Sequence, residues 1–141
     1  MLLTTGEAMS DGQLAPPGPH VHVARWVAQA DVLPQARVVV CHGGSGTTLG
    51  TLAAGVLLVV TPLFADQPQN GGRVAAVGAG IVVEPRDDGA VRSAVDPADL
   101  RDAIGAVVAD GAYAQAAGRV ASDMRQLPPV DEALTLLAAV A

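Results

Sequence analysis

The feature that most constrains the fold is a run of β-branched residues that leads directly into a glycine-rich segment. Val38–Cys41 is continuously apolar, residues 42–48 read HGGSGTT, and apolar residues then recur at helical spacing until Gly55. Such a run is typical of a parallel strand covered on both faces, and the spacing after it indicates a helix that ends at the glycine. The segment therefore predicts a buried strand, a tight turn and a helix in succession.

The remaining pattern alternates in the same way. Strands are predicted at Met1–Thr5, Val21–Val23, Val56–Val60 and Ile81–Val83. Helices are predicted as one turn at Asp31–Pro34 and at Gln67–Val77, Leu100–Ala109, Ala112–Leu127 and Val130–Val140, with Asp96 as an N-cap before Pro97. The segment Glu7–His20 and the pair Asp87-Asp88 have loop composition. The order predicts an α/β, Rossmann-like parallel sheet flanked by helices, in one domain spanning 1–141.

Composition narrows the classes of function. Half of the 141 residues are hydrophobic but only 2% are aromatic, so the core must consist of small aliphatic side chains. The net charge is −6 and all eight basic residues are arginine, which argues against a nucleic-acid-binding surface. A single cysteine excludes a disulfide framework, and no apolar run is long enough to span a membrane. These features predict a soluble, acidic, cytoplasmic protein.

The glycine-rich turn is a candidate anion site. Its backbone N–H groups and the start of the helix favour a phosphate, and the glycines allow close approach. Ser45, Thr47 and Thr48 add hydroxyl donors, and His42 can donate from its imidazole. The alternative is that the glycines only make a tight turn and that Thr47 only caps the helix.

Two familiar phosphate motifs fit less well. The P-loop requires a lysine, and the chain has none. The dinucleotide fingerprint requires a sixth-position glycine where this chain has Leu49. Asp66 nevertheless lies at a plausible offset for a ribose-binding acid, so a nicotinamide or flavin site remains an alternative.

Four short motifs, taken in order, resemble the donor-binding signature of the UDP-glycosyltransferase superfamily. They are Trp26-Val27-Ala28-Gln29, His42–Thr48, Gly55-Val56 and Pro62–Gln67. The resemblance runs from Trp26 to Asn70, about a third of the chain, and is strongest to the bacterial branch that glycosylates macrolides and aromatic polyketides. It implies the carboxyl-terminal half of a GT-B glycosyltransferase.

The resemblance also implies roles for individual residues. Trp26 would stack on the nucleobase, and Gln29 would form a hydrogen bond near the base or ribose. His42 and the glycine-rich turn would contact the diphosphate. Asp66 and Gln67 would bind hydroxyl groups of the donor sugar. The implied donor-binding residues are Trp26, Gln29, His42, Gly43, Gly44, Ser45, Gly46, Thr47, Asp66 and Gln67. Taken singly, Trp26 could be a core filler, the two glutamines surface residues, and Asp66 a helix cap.

The chain also departs from the family pattern. Ala28 and Leu57 replace usual prolines, and Gly50 stands where plant members carry a ribose-binding glutamate. The acceptor domain with its general base, and the first βα unit of the donor domain, have no counterpart in this sequence, which predicts a truncated donor domain. The sheet edge left by that unit would be a site of association.

The function implied is an inverting glycosyltransferase that moves a hexose from a UDP- or dTDP-sugar to a small-molecule acceptor. Neither a metal nor a cofactor is expected, and the isolated chain is expected to be inactive. Expected partners are the nucleotide-sugar donor and either an acceptor-domain chain or a second copy. Two alternatives stay open: a non-catalytic or split-enzyme subunit that binds the nucleotide sugar, and a dinucleotide-binding oxidoreductase domain.

Overall fold

A computed structural model of the chain describes residues 1–7, 9, 14, 18–86 and 95–139. The predicted turn at Asp87-Asp88, part of the predicted loop before His20, and Val140 at the end of the last predicted helix lie outside the described residues. The chain divides into two compact units, Met1–Gln35 and Ala36–Ala141.

The first unit is built on a two-stranded parallel sheet. Strand β1 (Leu2–Thr4) pairs with β2 (His22–Ala24), and Leu3 lies opposite Val23. After β2 come a short helix α1 (Gln29–Val32) and one 3₁₀ turn (Leu33–Gln35). Both predicted strands and the predicted helical turn are therefore present, with small shifts in their bounds.

The second unit is a three-stranded parallel sheet with helices. Its elements in chain order are β3 (Val38–Cys41), α2 (Ser45–Ala53), β4 (Leu57–Val60), α3 (Gln67–Ala76), β5 (Gly80–Val82), α4 (Pro97–Ala109), α5 (Gly111–Arg125) and α6 (Val130–Ala139). The strand order is β3-β4-β5. The N-cap predicted at Asp96 is confirmed, because its carboxylate accepts a hydrogen bond of 2.8 Å from the Ala98 N–H group.

The core of the second unit consists of small aliphatic side chains, as the composition predicts. All four residues of β4 are buried, and Leu58, Val59 and Val60 are completely inaccessible to solvent. Val74 of α3 and Val107 of α4 pack into the same cluster. Because β4 lies between two parallel neighbours and under helices, it holds the turns at its carboxyl end in place.

The structure corrects two details of the sheet. In the described part of the chain the strands form two parallel sheets, of two and three strands, rather than one. The prediction that β3 is covered on both faces is wrong, because its residues are at most half-buried and Val40 is 42% exposed. The reason is position: β3 lies at an edge of the three-stranded sheet, and an apolar run alone does not distinguish edge from centre.

Helix α6 presents apolar side chains to solvent. Val130, Leu134 and Leu137 are between 57% and 75% exposed, and every described side chain of the helix is exposed. Over the residues that the structure describes, no helix combines the length and the hydrophobicity needed to cross a membrane.

Thr51 provides a test of the packing of α2. Its side chain is completely buried, and its hydroxyl has no hydrogen-bond partner among the described residues. We expect Thr51→Val to raise the free energy of unfolding by about 1 kcal/mol, because it removes a desolvated hydroxyl and keeps the shape. Urea denaturation measures the effect. The control is Thr135→Val on α6, which removes an exposed hydroxyl bonded to the Asp131 carbonyl at 2.9 Å and should not stabilise. An unchanged or lower stability of Thr51→Val would contradict the assignment.

Candidate functional site

Two loops of the second unit leave adjacent strands at the same edge of the sheet. Residues 42–44 follow β3 and residues 61–66 follow β4, and the two strands end opposite each other at Cys41 and Val60. The carboxyl ends of parallel strands are where open α/β sheets bind ligands. The glycine-rich turn and the Pro62–Asp66 segment are therefore neighbours in the position expected of a site.

Gly43 can only be glycine in this turn. Its φ is +88°, and an added Cβ would lie 2.7 Å from Val60 Cγ1 and 3.1 Å from the carbonyl oxygen of Gln67. An L-residue is strained at this φ, and both neighbours belong to packed elements. The turn thus lies directly against the end of β4 and the start of α3.

The imidazole of His42 lies over Gly44. A Cβ on Gly44 would be only 2.5 Å from His42 Nε2, so the glycine makes room for the ring. His42 is exposed, and Gly44 is the N-cap residue of α2. The ring therefore stands beside the first turn of the helix, with a nitrogen near its backbone.

The N-cap residue of helix α2 is Gly44, three residues before Thr47. Gly44 has an extended backbone, and Ser45 is the first helical residue. The Thr48 N–H group donates a hydrogen bond of 3.0 Å to the Gly44 carbonyl oxygen. Thr47 consequently lies inside the first turn, and the alternative that it caps the helix is wrong. In an α-helix the first N–H groups find no acceptor within the helix, and here they include those of the exposed residues Ser45 and Gly46.

Asp66 is hydrogen-bonded to this turn. Its Oδ2 accepts from the Ser45 hydroxyl at 2.8 Å and from the Asn70 side-chain amide at 2.9 Å. Asp66 occupies the N-cap position of α3, as the alternative interpretation of the sequence predicts, but its side chain makes no capping bond to that helix and is instead bonded to Ser45 and Asn70. The residue remains exposed.

These bonds favour the ionised form of the Asp66 carboxyl group. The Ser45 hydroxyl, and then the Asn70 amide, lower the pKa of Asp66 below its ordinary value, and the nearby His42 charge acts in the same direction. The site therefore holds a carboxylate, an imidazole and open helical amides close together. Such a set can accept bonds from hydroxyl groups and donate bonds to an anion.

Gln67 shapes the loop before it. The side chain is buried, and its Oε1 accepts from the N–H groups of Leu63 (2.9 Å) and Phe64 (3.1 Å). The alternative that Gln67 is a surface residue is therefore wrong. Ala65 lies between Phe64 and the start of α3, and its φ of +57° is a strained value for a residue with a side chain. Contact of Gln67 with a donor sugar stays a prediction.

The other two predicted residues lie in the first unit. Trp26 comes two residues after β2 and its side chain is 76% exposed, so the alternative that it fills the core is wrong. Gln29 is the first residue of α1 and is also exposed. An indole so accessible is available for stacking on a planar ligand.

Asn70 is the site residue that sequence reasoning missed. It ends the segment that resembles the glycosyltransferase signature, but the resemblance implies no role for it. The available signal was its spacing, because Asp66 and Asn70 are four residues apart at the start of a predicted helix and such pairs meet.

The described residues contain no candidate metal site. No group of three or more His, Cys, Asp or Glu residues there lies where it could hold an ion. Burial raises the pKa of the Cys41 thiol, which keeps it protonated.

Residues 3–140 match the protein family described as Erythromycin biosynthesis protein CIII-like, C-terminal domain. The chain belongs to this family. Among its relatives, the elloramycin glycosyltransferase of Streptomyces olivaceus is 43% identical over 119 residues, which are 84% of this chain and 28% of the relative. A UDP-glucuronosyltransferase-like protein of Caenorhabditis elegans is 32% identical over 92% of this chain and 24% of its own length.

Solved structures agree with this assignment. The glycosyltransferase of kitacinnamycin superimposes with a TM-score of 0.83 at 32% identity and covers 98% of this chain. The calicheamicin glycosyltransferase CalG4 does so with a TM-score of 0.84 at 29% identity, again over 98% of this chain. This chain spans only 34% and 33% of those two structures. The predicted fold, the carboxyl-terminal half of a GT-B glycosyltransferase, is confirmed.

Proposed function

We propose that the chain is the nucleotide-sugar-binding part of an inverting glycosyltransferase whose donor is a UDP- or dTDP-sugar. The observation that carries this proposal is the cluster at the glycine turn, where His42 lies over Gly44 and Asp66 is bonded to Ser45. A phosphate-binding turn beside an ionised carboxylate matches a ligand with a diphosphate next to a hydroxyl-rich group.

The diphosphate would be bound by the start of α2. The N–H groups of Gly44, Ser45 and Gly46 and the positive end of the helix favour an anion, and Gly43 allows the close approach. His42 would donate a further hydrogen bond, and the resemblance adds the hydroxyl of Thr47. These are fixed donors, so they would stabilise charge that grows on the β-phosphate without reorganising.

The sugar and the nucleobase would be held by the remaining residues. Asp66 would accept bonds from sugar hydroxyls, which charge assistance strengthens, and Gln67 would assist through its side-chain amide. Trp26 would stack on the base, with Gln29 bonding near the base or ribose. Because Trp26 is exposed, stacking would bury a surface that water now covers.

The reaction proposed is a direct displacement at the anomeric carbon. A base takes the proton of the acceptor hydroxyl, the oxygen attacks the anomeric carbon, and the bond to the β-phosphate oxygen breaks with inversion. The nucleoside diphosphate then leaves with the electron pair of that bond. We place the base in the acceptor domain that the family resemblance implies, and we therefore expect no transfer by this chain alone.

An acceptor-domain partner has support from helix α6. The exposed Val130, Leu134 and Leu137 form an apolar surface that association would cover. A separate acceptor-domain chain, as in a split enzyme, and a second copy of this chain are both compatible with that surface. The acidic composition and single cysteine support a cytoplasmic location.

Titration of Trp26 fluorescence tests the proposal, because this is the only tryptophan. We expect UDP or dTDP to quench the emission in a saturable way and NAD to leave it unchanged. Calorimetry with the same ligands provides the control for inner-filter absorption by the bases. Quenching by NAD alone would instead favour the dinucleotide-binding oxidoreductase. Turnover of a nucleotide sugar by the purified chain would refute the prediction that this chain is inactive alone.

A further inference from the structure

One side-chain amide connects three separate segments of the candidate site. Nδ2 of Asn70, which is half-buried in α3, lies 2.9 Å from the Gly43 carbonyl oxygen, 2.9 Å from Asp66 Oδ2 and 3.3 Å from Ser45 Oγ. An amide nitrogen has two hydrogens, so the two bonds of 2.9 Å use both of them. The longer contact to Ser45 is secondary.

The partners of Asn70 belong to the two parts of the site that bind different groups. Gly43 is in the turn proposed for the diphosphate, and Asp66 carries the carboxylate proposed for the sugar. The Ser45 hydroxyl donates to the same Oδ2 and closes the ring of contacts. Without an amide at position 70, the Asp66 carboxylate would keep only one of these two side-chain donors.

We infer that Asn70 is a positioning residue, which holds the Asp66 carboxylate against the glycine turn in the arrangement that receives the sugar of a nucleotide sugar. This inference rests on the proposed function for the identity of the ligand. Asn70 acts through Gly43 and Asp66, and its own donors are already used. It therefore contributes preorganisation of the site.

A measurement without ligand tests the positioning directly. In Asn70→Ala the Asp66 carboxylate loses a donor, so NMR titration of its carboxyl carbon should show a higher pKa than in the wild type. His42, the titratable group that faces this carboxylate, is present in both proteins and affects them alike. Gln69→Ala, an exposed neighbour on the same helix, is the control and should leave the pKa unchanged. An unchanged pKa in folded Asn70→Ala would overturn the inference.

A double-mutant cycle with ligand tests the connection to the sugar. Calorimetry with UDP-glucose and dTDP-glucose should show binding about tenfold weaker for Asn70→Ala and for Asp66→Ala, and also only about tenfold weaker for the double variant. Additive losses, near a hundredfold together, would mean that the two residues act independently and would contradict the inference. If the wild type binds neither sugar nucleotide, the proposed function fails, whereas a raised pKa of Asp66 in Asn70→Ala would still support its positioning.

Discussion

Replacing Gly43 with alanine is expected to weaken the binding of UDP or dTDP by about a hundredfold, the order of effect that a misplaced binding group produces. Alanine would have to adopt the left-handed backbone conformation that Gly43 has, at a cost of about 1–2 kcal/mol. It would also overlap Val60 and the backbone of Gln67, at a further cost of about 1–3 kcal/mol. The turn must move to relieve both effects, and the amides that follow it move as well. Calorimetry measures the affinity, and urea denaturation measures the loss of stability.

Two further glycines make this test specific. Gly72→Ala adds a methyl group on α3, where nothing lies within 4 Å, and should leave binding unchanged. Gly44→Ala keeps an ordinary φ, and the atoms nearest to its new Cβ are those of the exposed His42 ring, so it should fold normally and bind about tenfold more weakly because the ring is displaced. If Gly43→Ala does not fold, Gly44→Ala still tests the turn. Wild-type affinity in both site variants would show that the ligand binds elsewhere.

Replacing Trp26 with alanine is expected to weaken nucleotide binding by about 5- to 150-fold, the equivalent of about 1–3 kcal/mol of stacking. Because the indole is 76% exposed, the free energy of unfolding should change by no more than about 0.5 kcal/mol. The combination of a large change in affinity and a small change in stability distinguishes a stacking residue from a packing residue. Calorimetry is needed here, since the substitution removes the fluorophore.

Trp26→Phe and Leu127→Ala are the matched variants for this result. Phenylalanine keeps an aromatic face and should retain part of the affinity. Leu127 is another apolar residue that is 67% exposed, and its truncation should affect neither binding nor stability. If Trp26→Ala binds both UDP and dTDP with unchanged affinity, the nucleobase does not stack on Trp26.

The elements of the fold could be predicted because their signals are local. A β-branched run before consecutive glycines, a proline after Asp96 and a glycine after α2 each restrict the backbone over a few residues, and these elements are confirmed. The exposure of β3 could not be predicted in this way. An apolar run of four residues looks the same at the edge of a sheet and in its centre, because neighbours distant in sequence decide which face is covered.

The candidate site likewise has features that the sequence predicts and features that depend on tertiary contacts. The sequence identified the glycine turn, His42 and Asp66 because their order along the chain is distinctive. For Gln67 the sequence offered contact with the ligand or a place on the surface, whereas the structure shows a buried side chain that accepts hydrogen bonds from the Leu63 and Phe64 N–H groups. The sequence did not identify the hydrogen bond of Asn70 to Gly43, since the two residues are 27 positions apart.

The sequence by itself determined the class of this protein: alternating strands and helices, a glycine-rich turn that follows a β-branched strand, and an ordered set of motifs that places the chain in its family. Only the tertiary structure decided how the side chains at that turn are used. The Asp66 carboxylate is bonded to Ser45 and Asn70 because β3 and β4 lie side by side and end together. Backbone preferences act between near neighbours, whereas side-chain hydrogen bonds depend on distances that exist only after the sheet has formed.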